Sequence, residues 1–152
     1  MEIWLQNIFS GIVGSALTIF ANIQINKFST KRKTTAYLVL LLHEVNRHVF
    51  WLNALLKKPL NEVSQILTLI RNTENTEWNK TKYYLAETLS NEKFFIIQNH
   101  YYNIEAFKKI LEEVQEQRHI TRIPEEILHN YLQPANNALA LLCSETKFKP
   151  YI

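Results

Sequence analysis

Residues 38–56 read LVLLLHEVNRHVFWLNALL, and their spacing already settles the fold class. Leu38, Leu41, Leu42, Val45, Val49, Leu52, Leu55 and Leu56 recur every three or four positions, the pattern of a helix that buries one face. No Gly or Pro interrupts residues 30–58. Lys57 and Lys58 stand where cations suit the negative end of a helix dipole. Pro59 ends the run, because its ring removes the N–H that another turn would need.

The pattern repeats C-terminally. Pro59 suits a first-turn position, predicting a short helix through Arg71 with Val63, Ile66, Leu67 and Ile70 on one side. Asn72 to Asn75 reads as a loop, and Thr76 caps a helix from Glu77 through Leu89 that carries Trp78, Tyr84 and Leu85. Ser90 or Asn91 caps the next, whose stripe Ile97, Tyr101, Ile104, Phe107, Leu111 and Val114 predicts a long helix ending near His119. A last helix begins near Pro124, and Pro134 breaks or kinks it before Ala138, Leu139, Leu141 and Leu142. Ser144 to Ile152 reads as a frayed tail or one that lies on a neighbour. The doublets Tyr83-Tyr84, Phe94-Phe95 and Tyr101-Tyr102 should each send one ring inward and one outward. The expected fold is all-α, an antiparallel helical bundle.

Composition narrows the function. The chain has 152 residues and 2 Gly, both near the N-terminus (Gly11 and Gly14), and all 14 acidic residues are Glu. Without Gly after position 14 the body cannot form a phosphate loop, a dinucleotide fingerprint or a nucleophile elbow. One cysteine, Cys143, and 5 scattered His exclude thiolate zinc sites. The lone Cys143 fits a small buried hydrophobe in a reducing compartment better than a nucleophile. No catalytic residue, cofactor or metal is predicted. Around Phe94 to Phe107 the aromatics have only Lys93 beside them at the start, which does not make a nucleic-acid stacking platform.

The N-terminal part differs. Ile3 to Ile25 carries no charge, and as a helix would span about 34 Å, enough for a bilayer core. A cleaved signal peptide would place its positive charge before the apolar run, whereas Lys27, Lys31, Arg32 and Lys33 follow it. Gln6, Asn7, Asn22 and Gln24 leave a buried core helix as the competing reading. Residues 34–152 hold equal numbers of basic and acidic side chains, so the excess charge sits in that one basic flank. The expected division is a transmembrane helix over 1–26, a basic juxtamembrane segment over 27–33 and a cytosolic bundle over 34–152, the first helices continuous. The positive-inside rule places the N-terminus outside a cell inner membrane and the body in the cytoplasm.

On a helical wheel, Asn7, Gly11, Gly14, Thr18, Asn22 and Asn26 form one stripe, with Ser10 beside it, opposite a lipid face of Ile8, Ile12, Ile19, Phe20 and Ile23. Ser10 with Gly14 and Gly11 with Ser15 are small-xxx-small pairs, which let helix backbones approach. The stripe predicts self-association, with Asn7, Thr18 and Asn22 as candidate pore-lining residues. Packing against the body or another protein is the alternative.

The densest polar group is His43, Glu44, Arg47 and His48. The two histidines are five apart and diverge around a helix, so they do not match the metalloprotease pair four apart. The expected arrangement is a polar strip in which Glu44 pairs with Arg47 or His48, worth a few tenths of a kcal/mol; the alternative is a metal or buried polar network.

A spanning helix, a basic stop and a small helical body resemble in layout the single-pass membrane effectors of bacterial anti-phage defence, including the membrane accessory proteins of type VI CRISPR systems. That resemblance implies an oligomeric membrane pore with a ribonuclease-like helical fold. The fold's Arg followed five positions later by His is missing at Arg47, Arg71, Arg118 and Arg122, so no site carries over. The predicted function is therefore non-enzymatic: a self-associating membrane protein of the membrane-perturbing or pore-forming kind, in contact with lipid and not nucleic acid. The alternative is a membrane-tethered adaptor or immunity-type protein whose bundle binds another protein.

Overall fold

The structure is a computed structural model that describes the backbone of residues 2–116 and 121–147 and the side chains of residues 20–114 and 121–147. Five helices account for nearly all of it: α1 (Glu2–Lys57), α2 (Ser64–Asn72), α3 (Thr76–Thr88), α4 (Asn91–Glu116) and α5 (Glu125–Thr146). The chain divides into two compact units, Met1–Thr35 and Ala36–Ile152. Among the described residues there is no strand, and no helix is long and apolar enough to cross a membrane. Most of the uncharged Ile3–Ile25 segment lies outside the described side chains.

With no glycine available, the helices end by other means. α2 and α3 pass directly into extended residues, Thr73 (φ −78°, ψ 117°) and Leu89 (φ −93°, ψ 158°). α5 ends on Lys147 in the left-handed region at φ 57°, where a side chain costs about 1 kcal/mol relative to glycine.

Several boundaries differ from expectation: α2 takes in Asn72, and α3 begins at Thr76 itself, with Asn75 and not Thr76 at the N-cap position. α2 starts at Ser64 and not at Pro59, because residues 59–63 form tight turns. Glu62 N–H donates to the Pro59 carbonyl (3.1 Å), and Leu60 N–H is drawn to the Thr121 carbonyl (2.9 Å) ahead of α5. Pro134 does not break α5, which runs through it. A proline inside a helix costs about 3 kcal/mol, but the turns on both sides are anchored by Leu128, Ala135, Ala138 and Leu142, each at most 1% exposed. Ser144 to Thr146 are helical, and residues beyond Lys147 lie outside the described chain. The α4 terminus expected near His119 also lies outside it.

The core of the unit Ala36–Ile152 has two apolar clusters. One joins Leu38, Leu41, Leu42 and Val45 of α1 to Leu85 of α3, Ile97 and Tyr101 of α4, and Ala138 and Leu142 of α5. The other joins Trp51, Leu52 and Leu55 of α1 to Leu67 and Ile70 of α2, Ile104, Phe107 and Leu111 of α4, and Leu128 and Ala135 of α5. Rising residue numbers lead from the first cluster to the second along α1 and α4, and the opposite way along α5. α5 is therefore antiparallel to both. The doublets divide as expected: Tyr101 is buried and Tyr102 exposed, while Tyr84 and Phe94 are half-buried beside exposed Tyr83 and Phe95.

Candidate functional site

Between the two apolar clusters lies a polar layer built from α1, α3 and α4. Glu44 and His48, one turn apart on α1, both face inward, at 4% and 1% exposure. A buried carboxylate needs hydrogen bonds to offset its lost hydration. Glu44 Oε2 accepts the Tyr101 hydroxyl at 2.7 Å and the Trp78 backbone N–H at 3.2 Å. Trp78 lies in the first turn of α3, whose N–H groups have no intrahelical partner. Asn75 occupies the N-cap position but makes no side-chain cap; its amide donates to Glu105 on α4. Glu44 thus caps α3 from another helix, where its negative charge also favours the helix dipole.

Beside this carboxylate, His48 Nδ1 lies 3.0 Å from His100 Nε2. One ring donates and the other accepts, and among the described residues His48 Nε2 and His100 Nδ1 have no partner. Burial drives the His48 pKa down to about 2, helped by His100, Arg47 and Lys108 nearby, and drives that of His100 down to about 4. Both rings are neutral at pH 7. Burial, and then the charge and hydrogen bond of Glu44, hold the Tyr101 hydroxyl protonated well above its usual range. Burial likewise raises the Cys143 thiol, which is half-buried and unpaired with any other cysteine.

The sequence-predicted strip is therefore split. His43 and Arg47 are exposed; the Arg47 guanidinium stands 3.9 Å from Glu44 Oε1 and 5.3 Å from the centre of the Trp51 ring. Glu44 and His48 instead join a buried network, and no group of three or more potential metal ligands forms among the described residues. The sequence reading missed His100, the Tyr101 hydroxyl and Asn75. A signal existed: His48 falls within the stripe Val45–Leu52 and His100 within Ile97–Ile104, so each histidine occupies a core position.

An open cleft of about 1020 Å³ runs between α3 and α4 above this layer. Trp78, stacked on Tyr101 at 4.8 Å, and Phe94 contribute its lining, and Tyr83 and Tyr102, each 75% exposed, stand on its two helices. Lys108 braces one end by donating to the Thr73 carbonyl (2.6 Å) and to Glu105 (2.8 Å).

In the other unit, Asn22 and Asn26 of the predicted stripe are exposed, as are Lys27, Lys31, Arg32 and Lys33. The side chains of Asn7, Ser10, Gly11, Gly14, Ser15 and Thr18 lie outside the described residues. No family model, curated protein or solved structure matches the chain.

Proposed function

We propose that this chain is a non-enzymatic, single-pass membrane protein that self-associates through the first half of α1 and acts as a membrane-perturbing effector or its regulator, with its body in the cytoplasm. The observation that carries this reading is the state of α1 between Phe20 and Phe28. Phe20, Ile23, Ile25 and Phe28 are exposed, Phe20, Ile25 and Phe28 by more than 60%. Large apolar groups left uncovered mark a surface for lipid or protein, and these continue an uncharged segment long enough to span a bilayer. Asn22 and Asn26 on the same stretch are unfavourable against lipid and suit a helix-helix contact or a wet lumen. The titratable groups of the interior are sealed from solvent, which supports a structural role for them.

A second reading is favoured by the α3–α4 cleft: a tethered adaptor that binds another protein there, with Tyr83 and Tyr102 as aromatic anchors of the kind that dominate interfaces. The oligomeric state of the detergent-extracted full chain separates the two. Self-association predicts a multimer whose cross-linking is lost in Gly14→Leu, and a pore predicts that Asn22→Leu reduces dye leakage from expressing cells. A monomer would remove the first reading and leave the adaptor.

A further inference from the structure

The basic run after the apolar segment has a geometry that identifies its partner. Successive helical residues turn by about 100°, so Lys31 lies about 40° around the axis from Lys27, and Arg32 and Lys33 follow at about 100° intervals. The four cations leave no angular gap wider than about 120°, and they occupy about 9 Å of helix length. That height is comparable with one headgroup layer, about 5–8 Å. Every residue from Phe20 to Lys33 is exposed; Phe20, Ile23, Ile25 and Phe28 spread over about 200° of the circumference, with Asn22, Asn26 and Ser29 on the remaining side, whereas the cations reach both sides. Arg32 sits over the Phe28 ring at 5.3 Å, joining the last apolar side chain to the cationic level. The Thr34 and Thr35 hydroxyls donate back to the carbonyls of Thr30 (2.9 Å) and Lys31 (3.0 Å). Between Glu2 and Glu44 there is no acidic residue.

A nucleic acid or an acidic protein would be met by cations gathered on one face. A collar that encircles the helix fits a charged layer that encircles it too. We infer that Lys27, Lys31, Arg32 and Lys33 form a headgroup collar that selects anionic phospholipids around α1. This rests on the membrane reading above and adds the lipid class. Each cation near an anionic surface favours binding about fivefold.

The test uses the full chain, synthesised cell-free in the presence of vesicles and then floated. Vesicles of phosphatidylcholine are compared with vesicles in which about one third of the lipid is phosphatidylglycerol. The collar predicts at least about tenfold tighter association with the phosphatidylglycerol vesicles, and loss of that preference at 1 M salt, where the screening length is about 3 Å. Replacing all four cations with Gln should abolish the preference while flotation with both vesicles persists. Equal association of the native chain with the two vesicles, a preference retained by the four-Gln variant, or tighter binding to a single-stranded oligonucleotide than to phosphatidylglycerol vesicles would overturn the collar. Failure to float with either vesicle would instead overturn the membrane reading itself.

Discussion

His48 Nδ1 and His100 Nε2 meet at 3.0 Å inside the bundle, 52 residues apart in sequence, and join two helices that run the same way between two apolar clusters. Both imidazoles are closed to solvent, so the pair is a polar tie in the middle of the core and is neutral when folded.

This tie makes the fold acid-sensitive. Both folded pKa values, about 2 for His48 and about 4 for His100, lie below the unfolded value of 6.5. The unfolded chain therefore binds more protons below pH 6.5. The stabilisation is complete above 6.5 and is lost as pH falls toward 4, and for His48 further still. At pH 5 each imidazole should have cost the folded state about 2 kcal/mol. Urea midpoints at pH 7.5 and 5.0 check this, and a His48→Leu/His100→Phe variant should show a flatter pH dependence. A parallel decline in parent and variant would remove the pair as the cause.

The Glu44 cap should be measurable by a mutant cycle. Tyr101→Phe removes one hydrogen bond to a buried charge and should cost about 1.5–3 kcal/mol. Glu44→Leu leaves both the Tyr101 hydroxyl and the Trp78 N–H unsatisfied and should cost more, whereas Glu44→Gln keeps an acceptor and should cost less. Urea unfolding of the single and double variants should give a coupling of at least about 1 kcal/mol between Glu44 and Tyr101.

Pro134→Ala should stabilise the protein. The substitution restores an N–H within reach of the Asn130 carbonyl and removes a ring that crowds the preceding turn. A gain of about 1–3 kcal/mol is expected, seen as a rise in Tm of about 3 °C per kcal/mol. An unchanged or lower Tm would mean that the surrounding packing is built around the proline.

Residues 36–152 should fold without the rest of α1, because the buried apolar residues among the described side chains, from Leu38 to Leu142, all lie within them. The fragment should give a helical circular dichroism spectrum and melt cooperatively. Ile104→Asp should abolish that melt: Ile104 is 3% exposed, and an unpaired buried carboxylate costs several kcal/mol, set against a total of about 5–15. A mutant that melts like its parent would contradict the assignment of this position to the core.

Much of this architecture can be read in one dimension. The stripes of α1 and α4, the presence of a loop ahead of α3, the Ser90 boundary and the inward-outward division of the aromatic doublets follow from side-chain period and local backbone chemistry, both properties of neighbours within a turn or two. The uncharged segment and its basic flank are visible in the same way. The start of α2 was not, since Leu60 is bound by Thr121, a residue brought near only by folding. Nor was the continuity of α5 through Pro134, which depends on packing on both sides of the proline. The division of the strip at 43–48 is the clearest case. Period puts Glu44 and His48 on the apolar face, but their polarity argues against burial, which is unfavourable until Trp78, Tyr101 and His100 arrive from α3 and α4 with hydrogen bonds to offset the lost hydration.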